Sequence, residues 1–140
     1  MEATRKDLQE PVFSKPERTL SGRILVADDD EDIQSLVADA IEFMGFTVAV
    51  VGNGIEALSV FIANAFDLVL TDLQMPGMDG LSLARRIKAR SPHTPVILMT
   101  GDDRDTVSER LQQSRINYVI FKPLRIDELQ QTIQSALAVK

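Results

Sequence analysis

Five short apolar runs alternate with amphipathic stretches along most of this chain. Arg23 to Ala27 is the first run, and Phe46 to Val51, Leu68 to Leu70, Val96 to Met99 and Tyr118 to Phe121 follow it. Their length and their branched and aromatic residues predict buried β-strands. Between them, apolar residues recur three or four apart, the spacing of one face of an α-helix. Ile33, Leu36, Val37, Ala40, Ile41 and Met44 form the first stripe, with Gly45 placed to end the helix at C′. Ala57, Leu58, Phe61 and Ile62 form the second, after the turn Gly52-Asn53-Gly54. Leu83, Ala84 and Ile87 form the third. A fourth has a weak face of Val107 and Leu111, and Ile126, Leu129, Ile133 and Leu137 line the fifth. Strands separated by helices predict parallel pairing, because each crossover needs a helix, and right-handed crossovers place helices on both faces. The fold class expected is α/β: a doubly wound, five-stranded parallel sheet flanked by five helices. Residues 1–21 mix charges with Pro11 and Pro16 and show no apolar period, so they are expected to be a flexible leader before a folded domain spanning 22–140.

In doubly wound sheets functional groups gather at the carboxyl ends of the strands, near the point where strand order reverses. The residues just past strands one, three, four and five are Asp28-Asp29, Asp72, Thr100-Gly101 and Lys122-Pro123. Asp72 ends the apolar run Leu68-Val69-Leu70-Thr71, and Gln74-Met75-Pro76-Gly77-Met78-Asp79-Gly80 after it has the Pro, Gly and Asp-Gly of a loop. In the acid run Asp28 to Asp32, placement after a buried strand assigns Asp28 and Asp29 to a site. Asp30, Glu31 and Asp32 go to the start of the following helix, where acids complement the dipole. Asp79 is expected as a turn residue, His93 as a loop residue, and Met75 and Met78 as loop packing.

Composition narrows the chemistry. The chain has 140 residues, a net charge of −6 and no cysteine. One domain is expected, with no disulfide or thiolate metal site. The acidic balance argues against direct nucleic-acid binding, which rewards basic patches. The longest apolar runs are too short to span a bilayer, so a soluble, cytoplasmic protein without membrane contact is expected. Three converging carboxylates repel unless a cation joins them. With hard oxygen donors alone, Mg²⁺ is the candidate and zinc is disfavoured. Magnesium held this way usually serves a phosphate. A lysine, a threonine hydroxyl and backbone N–H groups would bind phosphoryl oxygens, and a carboxylate in that setting can act as nucleophile toward phosphorus.

These residues carry a family resemblance. Through Ile24-Leu25-Val26-Ala27-Asp28-Asp29-Asp30, Asp72-Leu73-Gln74-Met75-Pro76-Gly77-Met78-Asp79-Gly80, Thr100-Gly101 and Lys122-Pro123, the chain from Gly22 to Lys140 resembles the receiver domain of two-component response regulators. The resemblance implies a flavodoxin-like strand order 2-1-3-4-5 and a signalling domain rather than an enzyme. It implies that Asp72 accepts a phosphoryl group from a sensor histidine kinase or a phosphotransfer protein. Mg²⁺ would be held by Asp28, mostly through water, by Asp29 and Asp72, and by the backbone carbonyl of Gln74. Thr100, Gly101 and Lys122 would bind the phosphoryl group and throw the switch, with Lys122-Pro123 cis. A homodimer through the fourth helix, fifth strand and fifth helix is a further implication.

Two departures concern signalling. The aromatic that the family usually places three residues before the lysine is Val119 here, while Tyr118 points to the opposite face and Phe121 shares the parity of Val119. Arg115 stands where a glycine commonly precedes the fifth strand. Gln74 and Asp102 flank the site and are expected to tune dephosphorylation. The rival readings are a haloacid-dehalogenase-type phosphatase, which needs a second acid where Gln74 stands, and a flavin-binding domain, which needs a Ser/Thr-rich loop where the acids stand. A third is a degenerate receiver serving as a phosphorylation-independent interaction module, which the intact site set opposes. The sequence leaves open whether the chain is a stand-alone receiver or a fragment of a larger protein.

Overall fold

Each apolar run becomes a strand of one parallel sheet in the computed structural model, which describes residues 22–101, 107, 108, 110, 111 and 115–138. The strands are β1 (Arg23–Ala27), β2 (Thr47–Val51), β3 (Leu68–Asp72), β4 (Val96–Thr100) and β5 (Tyr118–Phe121). All pairings are parallel, in the order β2-β1-β3-β4-β5. The chain runs outward from β1 to β2 and then returns past β1 to β3. Strand order therefore reverses between β1 and β3, and their carboxyl ends form the crevice.

Alternating side chains divide the core. Ile24, Val26, Leu68, Leu70, Ile97, Met99 and Ile120 point to one side, where α1 (Glu31–Phe43) and α4 (Ile126–Ala138) cover them. Leu25, Ala27, Val69 and Val96 point to the other, beneath α2 (Gly54–Ala63) and α3 (Gly80–Arg90). Burial on both faces explains why the inner strands read as continuous apolar runs rather than alternating ones. The helices start where short polar side chains can accept from free N–H groups. Asp30 accepts from Asp32 and Ile33, Asn53 from Glu56 and Asp79 from Ser82. Gly45, with φ +106°, follows the C-cap Met44 of α1 at C′, as its sequence position predicts.

Two expected core residues lie outside the core. Leu36 is 42% exposed and Ile62 is 49% exposed. Leu36 stands one helical step, about 100°, before Val37, and Ile62 the same step beyond Phe61, so each falls past the margin of its buried stripe. Four helices are complete among the described residues. The expected helix after β4 falls mostly outside them, and Val107, Ser108, Arg110 and Leu111 are helical there. The expected leader, 1–21, also lies outside the described residues.

Glycine is required where α3 meets the end of β3. A Cβ at Gly80 would run into the backbone carbonyl oxygen of Asp72 and touch Leu98. Its N–H donates to the carbonyl of Leu73 at 2.7 Å. At Gly101 an added Cβ meets nothing within 4 Å. Gly80→Ala is therefore expected to destabilise the fold by about 1–3 kcal/mol through overpacking, while Gly101→Ala stays within about 0.5 kcal/mol. Urea unfolding midpoints check this, and equal midpoints for the two variants would show that the α3 start yields without cost.

Candidate functional site

The register of the sheet assembles a cleft at the carboxyl ends of the strands. Asp72 is the last residue of β3 and Thr100 the last of β4, while Asp28-Asp29 follow β1 and Lys122 follows β5. Parallel strands in register end at one level, so residues 28 to 122 meet there despite their separation in sequence. Asp29, Asp72, Gln74, Thr100, Gly101 and Lys122 line one cleft of about 580 Å³, with Met75 and Pro76 at its rim. Asp28 lies fully buried beside it.

Lys122 ties the cleft together. Its Nζ stands 3.3 Å from Asp28 Oδ2 and 3.3 Å from Asp72 Oδ1, one ammonium shared by two carboxylates. The peptide bond from Lys122 to Pro123 is cis. Asp28 Oδ1 accepts the backbone N–H of Asp30 at 2.9 Å, while Asp28 N–H donates to the carbonyl of Val51 at 3.1 Å. The acid run thus divides as expected: Asp28 belongs to the buried corner and Asp30 caps α1.

The electrostatics are unequal across the pair. Burial, followed by the neighbouring Asp28 charge, pushes the Asp72 carboxyl above the usual carboxylate range, and the attraction of Lys122 only partly offsets them. Burial alone would lower the Lys122 ammonium, but the charges of Asp72 and Asp28 outweigh it and raise it. Lys122 is therefore held as a cation, while burial and Asp28 disfavour the charged form of Asp72.

One carboxylate oxygen from each of Asp28, Asp29 and Asp72 lies within 4.8 Å of the others. Three carboxylates against one ammonium leave an excess of negative charge, and all the donors are hard oxygens. That set suits a small hard cation of the Mg²⁺ kind. His93, the chain's single histidine, is an exposed residue between α3 and β4, at the opposite end of the sheet.

Not every residue singled out in the sequence lines the cleft. Val119, in register with Leu98, packs against the cluster of Leu73, Leu81, Leu98 and Val107. Phe121 is half-buried in register with Thr100, and Tyr118 packs on the opposite face among Ile97, Met99 and their neighbours. Asp102 lies outside the described residues. Met75 and Met78 pack against the core beneath α2 and α3. Asp79 does more than turn the chain: it caps α3, its Oδ1 accepting Ser82 N–H at 2.8 Å, and its Oδ2 pairs with Arg110 at 3.3 Å. An Asp directly before a Gly and an amphipathic stripe is an N-cap signal, but the distant arginine has no local one.

Known proteins resemble this chain in sequence and in fold. A family described as the response regulator receiver domain matches residues 24–134. The chain is 40% identical over 116 residues to the transcriptional regulatory protein ZraR of Klebsiella oxytoca, covering 82% of this chain and 26% of that protein. It is 37% identical over 118 residues to the DNA-binding transcriptional regulator NtrC of Escherichia coli K12, covering 84% and 25%. The chain thus spans about a quarter of the length of these curated relatives. Among solved structures, a response regulator receiver domain protein from Clostridium thermocellum superposes with a TM-score of 0.75 at 30% identity, covering 83% of this chain and 94% of that one. The receiver domain of the sensor histidine kinase PA1611 from Pseudomonas aeruginosa, with a magnesium ion coordinated in its active-site cleft, gives 0.78 at 26% identity, covering 85% and 99%.

The raised Asp72 carboxyl fixes the sign of a stability test. Below the ordinary value of 3.8 the folded and unfolded forms both hold the proton. As pH rises through that value the unfolded chain ionises first, so stability falls until the folded carboxyl ionises too, and the deficit then persists. In metal-free buffer at pH 7, Asp72→Asn is expected to melt at a higher temperature than the parent, and the gain should vanish under strongly acidic conditions. A lower melting temperature at pH 7 would mean that the attraction of Lys122 outweighs burial and Asp28.

Proposed function

This chain belongs to the response regulator receiver domain family, and on that premise we propose that it is a phosphoacceptor switch with Asp72 as the phosphorylated residue. The observation that carries the reading is the position of Lys122, 3.3 Å from both Asp28 and Asp72 in a cleft that Thr100 also lines.

In the proposed reaction a carboxylate oxygen of Asp72 attacks the phosphorus of a phosphohistidine on a sensor histidine kinase or phosphotransfer protein. The P–N bond breaks, its electron pair leaves on the imidazole, and an acyl phosphate forms. Lys122 binds a phosphoryl oxygen as a point charge and Thr100 donates its hydroxyl. Asp28, Asp29, Asp72 and the Gln74 carbonyl would hold Mg²⁺, which supplies positive charge against the phosphoryl oxygens. Water later attacks the phosphorus, releasing inorganic phosphate and restoring Asp72. No substrate other than the phosphoryl group is turned over, so the protein acts as a signalling domain in a cytoplasmic phosphorelay.

The new dianion displaces the balance among Lys122, Asp28 and Thr100, and the segment after β4 follows Thr100 to present a changed surface. The readers of that surface would be an output partner or a second copy meeting it through this segment, β5 and α4. DNA binding is part of NtrC's name and belongs to that protein. The net charge of −6 supports an input role for this chain rather than contact with nucleic acid. Among the described residues no helix is long and apolar enough to cross a membrane.

With acetyl phosphate and Mg²⁺, or with a cognate kinase, the parent is expected to take up one phosphoryl group and Asp72→Asn none. Undiminished labelling of the variant removes Asp72 from the role. The lifetime of the phospho-form tests the rim: Gln74→Ala and Asp102→Ala are each expected to alter it, and unchanged decay in both would leave neither residue a part in dephosphorylation.

A further inference from the structure

A second cleft, of about 530 Å³, opens at the other end of the sheet. Lys88, Asn117, Asp67, His93, Phe66 and Leu137 are among the residues that line it. Lys88 belongs to the buried row of α3 with Ala84 and Ile87, and only 4% of its surface is exposed. Its Nζ donates to Asn117 Oδ1 at 2.8 Å, an oxygen that already accepts Val96 N–H at 2.9 Å. An ammonium has three N–H donors, and one shared neutral amide oxygen is little return for burying a charge.

A second cation, Arg115, contacts the Lys88 backbone. Arg115 Nη2 donates to the backbone carbonyl of Lys88 at 3.2 Å. Burial, and then the Arg115 charge, lower the Lys88 ammonium below its ordinary value. Among the described residues no carboxylate pairs with either group. Asp67 lines the cleft too, but its Oδ2 accepts Arg23 N–H at 2.8 Å. Lys88, nine-tenths buried in the cleft wall and with no carboxylate partner among the described residues, complements an anionic ligand, and the nearby Arg115 charge adds to that. The walls at Phe66 and Leu137 suit an apolar body, and the Asp67 charge disfavours a dianion.

We propose that this cleft binds a small organic monocarboxylate, its carboxylate on Lys88 Nζ beside Asn117 and its apolar body against Phe66 and Leu137. The site is independent of Asp72, which lies at the opposite end of the sheet. Butyrate is the probe, and amide chemical shifts of the full chain are the readout. Butyrate is expected to move the Lys88, Val96 and Asn117 amides saturably, while inorganic phosphate leaves them in place and acts, if at all, at Thr100 and Gly101. Lys88→Met should abolish the butyrate response. Leu137→Glu keeps Lys88 but puts a like charge on the apolar wall, and should weaken binding at least about tenfold, or about 1.4 kcal/mol. A response that never saturates, that appears only at the Asp72 cleft, or that survives unchanged in a folded Leu137→Glu variant overturns the proposal.

Discussion

One ammonium shared between two strand-end carboxylates is the constraint on which this molecule's chemistry depends. Asp28 is wholly buried and Asp72 nearly so, and two such charges on neighbouring strands repel. Lys122 reaches both at 3.3 Å only because β5 ends at the same level as β1 and β3, on the far side of β4. The parallel register is therefore more than architecture: it sets the distance at which the cation sits. The offset is incomplete, since burial and Asp28 still hold the Asp72 carboxyl high. An incompletely neutralised corner of hard oxygens favours a further cation, and a phosphoryl group added there, as proposed, would change the balance most.

Much of this was legible in the sequence, for a definite reason. Strands buried on both faces announce themselves as unbroken apolar runs, so the polar residue that ends each run is conspicuous. Asp28, Asp72, Thr100 and Lys122 were found that way. Residues whose role depends on angle or on distant partners were not. Leu36 and Ile62 satisfy the spacing of a helical stripe yet fall at its margin, because spacing identifies a face without giving its width. Lys88 lies four residues after Ala84 and so on the buried row, but a lysine there reads as surface until Asn117, 29 positions on, is seen to receive it. The pairing of Asp79 with Arg110 spans 31 positions and leaves no periodic trace.

A change at Asp72 would reach the stretch after β4 through contacts of unequal strength. Among the described residues, an ion pair and an apolar cluster link the loop after β3 to the stretch after β4. One is the Asp79–Arg110 pair, whose side chains are 38% and 48% exposed, and such surface pairs contribute about 0–1 kcal/mol. The other is the apolar cluster of Leu73, Leu81, Leu98 and Val107, against which Leu111, Ile116 and Val119 pack. Leu73 follows Asp72 directly, and Val107 is fully buried, which for a side chain of that size contributes about 1.5–3 kcal/mol. Of these two, the packing contribution is the larger, so the cluster holds Val107 and Leu111 more firmly than the ion pair holds Arg110. Val119, in register with Leu98, packs against that cluster with an aliphatic side chain. A shift of Thr100 in the proposed switch would be accommodated by repacking Leu98, Val107 and Val119 together. Close-packed aliphatic clusters change between discrete arrangements rather than deform continuously. In the proposed switch, then, the coupling would reside in the fit of Leu73, Leu98, Val107 and Val119 against one another.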